Sequence, residues 1–159
     1  LLYPYNQTAG IYRCPGDRSI VVGRPAALRT RTYQLDISLN GSFNDVPMPP
    51  IQRYHKVKAS ELLTPPPVQV FTFIDSHPET SDGAAFVMQI QEAGGRDGWA
   101  VRPGEQHNLG ANLAFADGHV QHRRWCWSRK VNLGENGPSS ANTADRADFQ
   151  FLKDHLPRP

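Results

Sequence analysis

The chain reads as a mainly-β α+β domain: an antiparallel sheet of about four or five strands, with long loops and little helix. Three observations predict this. The runs at 28–39 and 109–125 alternate apolar with small or polar residues, and a continuous β-rich run fills 68–74, the two patterns of half-buried and central strands. The composition holds 14 prolines and 13 glycines against 38% apolar residues, which favours turns and short strands over long helices. A length of 159 residues suits one hydrophobic core and is short for two, so 1–159 is taken as a single domain.

The elements follow in order. In "YRCPGDRS" a Pro-Gly turn signal comes directly after Cys14. "LRTRTYQLDISL", 28–39, is read as one strand, and "NGSFNDVPMPP" as a turn-rich loop. Pro65-Pro66-Pro67 is a stiff spacer that cannot enter a sheet interior. "VQVFTFID" is the most apolar segment, so Val68 to Ile74 should cross the sheet centre and end at Asp75. "AAFVMQI" reads as a further strand and "QEAGGRDGW" as a turn-rich excursion. Asp117-Gly118 between two alternating runs signals a hairpin over 109–125 with a tight type I′ turn. The polar stretch 131–147 is expected to be a surface loop, and the end of the chain a short helix with Phe149, Leu152 and Leu156 near one face.

Composition excludes some functions. A balance of 17 basic against 15 acidic residues, net +2, implies no polyanionic partner such as nucleic acid. The densest basic cluster, His122-Arg123-Arg124 beside Trp125 and Trp127, suits the cationic face of an edge strand better than a base-stacking surface. No apolar run is long enough to cross a bilayer, and "LLYPYNQTAG" is not a signal peptide. Cys14 and Cys126 form no C-x-x-C pair, which leaves one long-range disulfide or two separate thiols.

Two clusters could carry chemistry. The loop after the central strand gathers Asp75, His77, Glu79 and Asp82, a tentative metal set whose carboxylates suit calcium better than zinc, although its spacing is not that of an EF-hand. A zinc alternative draws on His77, His107, His119 and a carboxylate. The plainer reading has Asp75 and Asp82 capping turns and His77 bonded to backbone, so no cofactor is fixed by these residues. The second cluster is His107 with Asp117, Gly118 and His119. Residues 108–116 in extended form span roughly 30 Å, so His107 and Asp117 stand at opposite ends of a strand. His107 is therefore placed to reach Asp75 or His77 as a structural partner, while His119 stays with Asp117. No G-x-S-x-G elbow, H-E-x-x-H helix or phosphate loop is present, and the chain is read as non-enzymatic.

His107, nine residues and then Asp117-Gly118 resembles the defining segment of the prepilin-like proteins with a His-x9-Asp-Gly domain, frequent in Verrucomicrobia, Lentisphaerae and Planctomycetes. "YRCPGDRS", "RTRTY", "FIDSHPETSDGAAF" and "FADGHVQHRRW" resemble further segments of that family in the same order. The resemblance implies the outward-facing globular head of a pseudopilin-like protein of a type II secretion or type IV pilus-like system. Such a protein is anchored in the inner membrane by an N-terminal helix and partnered by other pilin-like subunits or secretion-machinery proteins. The leader and long helix of that plan are not in this sequence, so the chain is expected to be a head truncated at its N-terminus. A periplasmic or cell-surface location follows, and with it a Cys14–Cys126 disulfide. The alternative is a secreted or periplasmic carbohydrate- or cation-binding module, with Trp99, Trp125 and Trp127 as stacking surfaces, although ordinary core or edge packing is the favoured reading of these indoles.

Overall fold

The computed structural model describes residues 3–21, 23–39, 54–80, 85–90, 97–127 and 142–158. It is mainly β, as the alternation predicts, with a five-stranded sheet, two small two-stranded sheets and two α-helices among the described residues. The strands are β1 (Ile20–Val21), β2 (Arg24–Leu28), β3 (Tyr33–Asp36), β4 (Phe71–Asp75), β5 (Ala85–Phe86), β6 (Met88–Gln89), β7 (Gly98–Trp99), β8 (Gly110–Phe115) and β9 (Val120–Arg124). The helices are α1 (Tyr3–Asn6) and α2 (Thr143–Asp154).

The main sheet has the order β5-β3-β4-β8-β9. It is mixed rather than wholly antiparallel, because β5 lies parallel to β3 while every other pair is antiparallel. The segment "AAFVMQI" is split in two: β5 joins the main sheet, and β6 turns away to pair with β7. The expected strand at 28–39 is likewise divided, since the backbone of 29–32 leaves β2 to bond elsewhere. Thr32 N–H donates to Tyr12 O, and Thr32 O accepts from both the backbone and the hydroxyl of Ser76.

The central strand begins later than expected. Pro67–Gln69 forms a 3₁₀ turn, so β4 starts at Phe71 and ends at Asp75. The hairpin is present, but its loop differs from the expected two-residue turn. Phe115 N–H donates to His119 O, so Ala116, Asp117 and Gly118 form a three-residue loop, and positive φ occurs at Gly118 (94°) but not at Asp117. A type I′ turn needs positive φ at both central residues, and a single left-handed glycine at the end marks the three-residue hairpin instead.

Helix α2 closes one face of the sheet. Asn142 caps it by accepting from the N–H groups of Ala144 and Asp145, so residues 143–147, expected in a surface loop, are helical. Residues 131–141 of that loop lie outside the described residues. Phe149, Leu152 and Leu156 are buried, as their spacing predicts, and join Phe71, Ile74, Phe86, Trp99, Leu113 and Phe115 in one core. Each such fully buried side chain contributes about 1.5–3 kcal/mol. On the opposite face, Phe73, Asn112 and Ala114 look onto an open groove of about 410 Å³, bounded by Asn6, Ile11, Tyr12, Tyr33 and Val120. Strand β9 is an exposed edge with Arg123 lying 4.1 Å from the ring of Phe151, which fits the edge reading of the basic cluster. No described helix is long and apolar enough to cross a membrane.

Candidate functional site

Three segments far apart in sequence meet where β3, β4 and β8 end. Asp75 closes β4 opposite Tyr33 of β3, and its side chain is fully buried. Next to it in the sheet is β8, where Ile74 pairs with Leu113. Asp75 Oδ2 therefore reaches the following backbone group and accepts from Asn112 N–H at 2.8 Å. The other oxygen, Oδ1, is buried without a hydrogen-bond partner.

His107 arrives from the turn before β8. Asn108 (φ 50°) and Leu109 (φ 61°) both occupy the left-handed region, a costly conformation for leucine. His107 N–H donates to Gly110 O, and Trp125 N–H donates to Leu109 O, which ties this turn to the end of the hairpin. His122 Nε2 contacts His107 O at 2.8 Å by passing close to Gly110. A Cβ on Gly110 would lie 2.1 Å from Arg123 O and 2.8 Å from His122 Nε2, so only glycine fits. His107 is thereby aimed at the end of β4, with its Nε2 3.2 Å from Asp75 Oδ2. Of the two expected partners, Asp75 and His77, it is Asp75 that His107 meets.

Cys14 enters from the N-terminal segment. Its N–H donates to Thr32 Oγ1 at 2.5 Å, and Asp17 N–H donates to Cys14 O across the Pro15-Gly16 turn. The sulfur accepts from Gly16 N–H at 3.3 Å and lies 3.2 Å from His107 Nε2. Burial, followed by the electrostatic influence of the neighbouring Asp75 and Cys14, raises the Tyr33 phenol to about 12. Burial also raises Asp75 above the usual carboxylate range, against the opposing pull of Asn112 N–H and His107. Among the described residues, Cys14 Sγ, Asp75 and His107 Nε2 are the one set of three donors close enough to share an ion, all within 4.8 Å.

The thiol and the carboxylate both meet the same imidazole nitrogen. A nucleophile–base–acid relay needs the two partners on opposite ring nitrogens, so the cluster is not arranged as a Cys-His-Asp triad. Convergence on a single point is the geometry of shared ligation.

The other expected site residues separate from this cluster or from one another. His77 Nδ1 accepts from Glu79 N–H at 3.3 Å, the local backbone bond of the plainer reading. Asp82 lies outside the described residues. Asp75 faces Cys14 and His107, and the described members of the expected set, Asp75, His77 and Glu79, are not brought together as one group of donors. His119 stacks on Phe115 at 4.3 Å, and its Nδ1 is 2.6 Å from Asp117 Oδ1. Hydrogen bonding from His119 holds the exposed Asp117 carboxyl below its ordinary range. His107 and Asp117 thus occupy opposite ends of β8, and Gly118 serves the turn.

The disulfide implied by the resemblance is corrected, and the favoured packing role of two tryptophans is observed. Both cysteines are free, so the Cys14–Cys126 bridge is not formed. Cys14 is committed to His107 and Gly16, whereas Cys126 is exposed and held through its backbone N–H by Asp148. The tryptophan stacking surface is absent for Trp99 and Trp125, which are buried. Their indole N–H groups donate to Asp145 and to Gly104 O, as core tryptophans do. Cys14 was missed as a partner of His107 because its neighbours announce only a turn.

The chain matches no family model, and no curated protein or solved structure is significantly similar to it.

Proposed function

We propose that the chain is the outward-facing head of a pseudopilin-like subunit, a non-enzymatic structural protein that works by contact with other pilin-like subunits or secretion-machinery proteins. The observation that carries this reading is spatial. The segments that suggest the family supply Cys14, Tyr33 and Asp75, and these meet His107 of the His-x9-Asp-Gly segment in one place. Residues that form one buried junction have a common reason to recur together, namely holding the entry segment, the central strand and the hairpin in register. The sharing of His107 Nε2 by thiol and carboxylate supports the non-catalytic part of the reading, since no proton path runs through the ring.

On this reading the head stands in the periplasm or at the cell surface, anchored by a helix encoded before Leu1. The test is the coding sequence upstream of Leu1. A basic leader followed by an apolar helix of about 20 residues is the expected result. A start codon directly before Leu1, or an upstream segment with neither feature, would overturn the reading.

A further inference from the structure

We propose that Cys14, Asp75 and His107 bind one divalent transition metal ion of borderline softness, zinc above all, which clips the entry segment, the end of β4 and the turn before β8 together. This goes beyond the pilin-like reading and stands on separate evidence.

The donor set selects the metal. Sulfur, imidazole nitrogen and carboxylate oxygen are the three ligand types that zinc accepts together, at about 2.3, 2.0–2.1 and 2.0–2.2 Å. Calcium and magnesium take oxygen and have no use for a thiolate. Around a tetrahedral zinc ion those bond lengths put neighbouring donors roughly 3.3–3.6 Å apart. Here the sulfur–nitrogen and nitrogen–oxygen separations are both 3.2 Å and all three donors lie within 4.8 Å of one another, so two of the three spacings already stand within a few tenths of an ångström of those around a tetrahedral ion.

The second observation is the unpartnered oxygen. Asp75 is fully buried, yet its Oδ1 has no hydrogen-bond partner. A buried carboxylate left this way is costly unless a cation offsets it. The imidazole poses the same problem. One ring nitrogen carries at most one hydrogen, which the thiol and the carboxylate have to share at the cost of weaker geometry, whereas a cation at the centre of the three donors satisfies all of them. Binding would displace the thiol proton and leave zinc bound to sulfur, nitrogen and oxygen.

The supports are those of a held site. Gly16 N–H fixes the sulfur, and Asn112 N–H fixes the carboxylate. The left-handed pair Asn108-Leu109 and the contact from His122 hold His107. The His107 side chain is 29% exposed, so the cluster meets solvent on its imidazole side.

The experiment is a titration of the metal-stripped 159-residue chain with zinc, and separately with cobalt(II) as a coloured substitute. One equivalent should bind, and the cobalt form should show tetrahedral visible bands with a sulfur-to-cobalt charge-transfer band. Asp75→Asn and His107→Gln should each weaken binding at least about tenfold, and Cys14→Ser should remove the charge-transfer band. Cys126→Ser should leave both stoichiometry and spectrum unchanged. The chain has only two cysteines, so a band that survives Cys126→Ser belongs to Cys14 even if Cys14→Ser does not fold. A folded wild-type chain that binds no equivalent, a cobalt spectrum without a sulfur band, or binding unchanged in His107→Gln would each overturn the proposal.

Discussion

The α2 side of the sheet and the end where β4 meets the N-terminal segment are held by different chemistry. Under α2, Phe149, Leu152 and Leu156 pack on Trp99, Leu113 and Phe115, with Trp99 and Phe149 edge to face at 4.8 Å. The two buried carboxylates there accept from defined N–H donors, Asp145 from the Trp99 indole and Asp148 from the backbone of Cys126 and Trp127. At the other end, polar atoms from Cys14, Tyr33, Asp75 and His107 crowd together, and the Asp75 carboxylate keeps one buried oxygen without a partner. The first region is complete in itself. The second is organised yet unsatisfied, the state in which binding can contribute most.

The largest expected effect breaks the apolar side. Phe149→Ala should cost about 3–5 kcal/mol in denaturant unfolding, the range for a large aromatic removed from a packed core. Phe73→Ala, on the opposite face and 36% exposed, should cost clearly less, because much of its surface is already in water. Equal costs for the two would mean that α2 is not the covering layer of the core.

The next effect sharpens the contrast between satisfied and unsatisfied carboxylates. Asp36 at the end of β3 is fully buried and bonded to the Ser38 hydroxyl and N–H, with burial raising it to about 7. A raised acid holds its proton in the fold after the unfolded chain has released it. Stability is therefore greatest below the unfolded value near 4, falls as pH rises to about 7, and is then level. The loss attributable to Asp36 across that window is about 3–4 kcal/mol. Asp36→Asn should keep both Ser38 contacts and remove this share of the slope. Unfolding curves from pH 4 to 7.5 with the same slope in variant and wild type would show that Asp36 is not buried as a neutral acid.

These regions were unequally legible in the sequence. The hairpin and α2 followed from periodicity, because each buries one face against the core: Ala111, Leu113 and Phe115 at period two, and Phe149, Leu152 and Leu156 at helical spacing. Residues 84–90 were read as one strand, but the split into β5 and β6 and the parallel direction of β5 were not legible, since two residues carry no period and a parallel partner is chosen by tertiary packing. The separation of His107 from Asp117 was legible from the length of the strand between them, which left Asp75 or His77 as the partner; the antiparallel pairing of β4 with β8 selects Asp75. Cys14 was not legible, because its place beside His107 and Asp75 depends on Thr32 leaving the strand to bond Tyr12, Cys14 and Ser76, and no local pattern in "RTRTY" announces that.

The smallest effect separates the two cysteines. Cys126 is exposed at the end of the hairpin, and its anchoring to Asp148 runs through the backbone N–H, which serine retains. Cys126→Ser should thus shift unfolding by no more than about 0.5 kcal/mol, the usual range for a surface change that touches no partner. Cys14 is buried, with its sulfur against His107 and Gly16, so reagent reaches it only when that junction opens. Brief alkylation of the folded chain should give one adduct, on Cys126, and a second only in denaturant. Equal labelling of both thiols in the folded chain would place Cys14 in an open loop. An intact mass showing a disulfide would instead draw the sulfur away from His107, and the polar junction would lose the atom that makes it a ligand set.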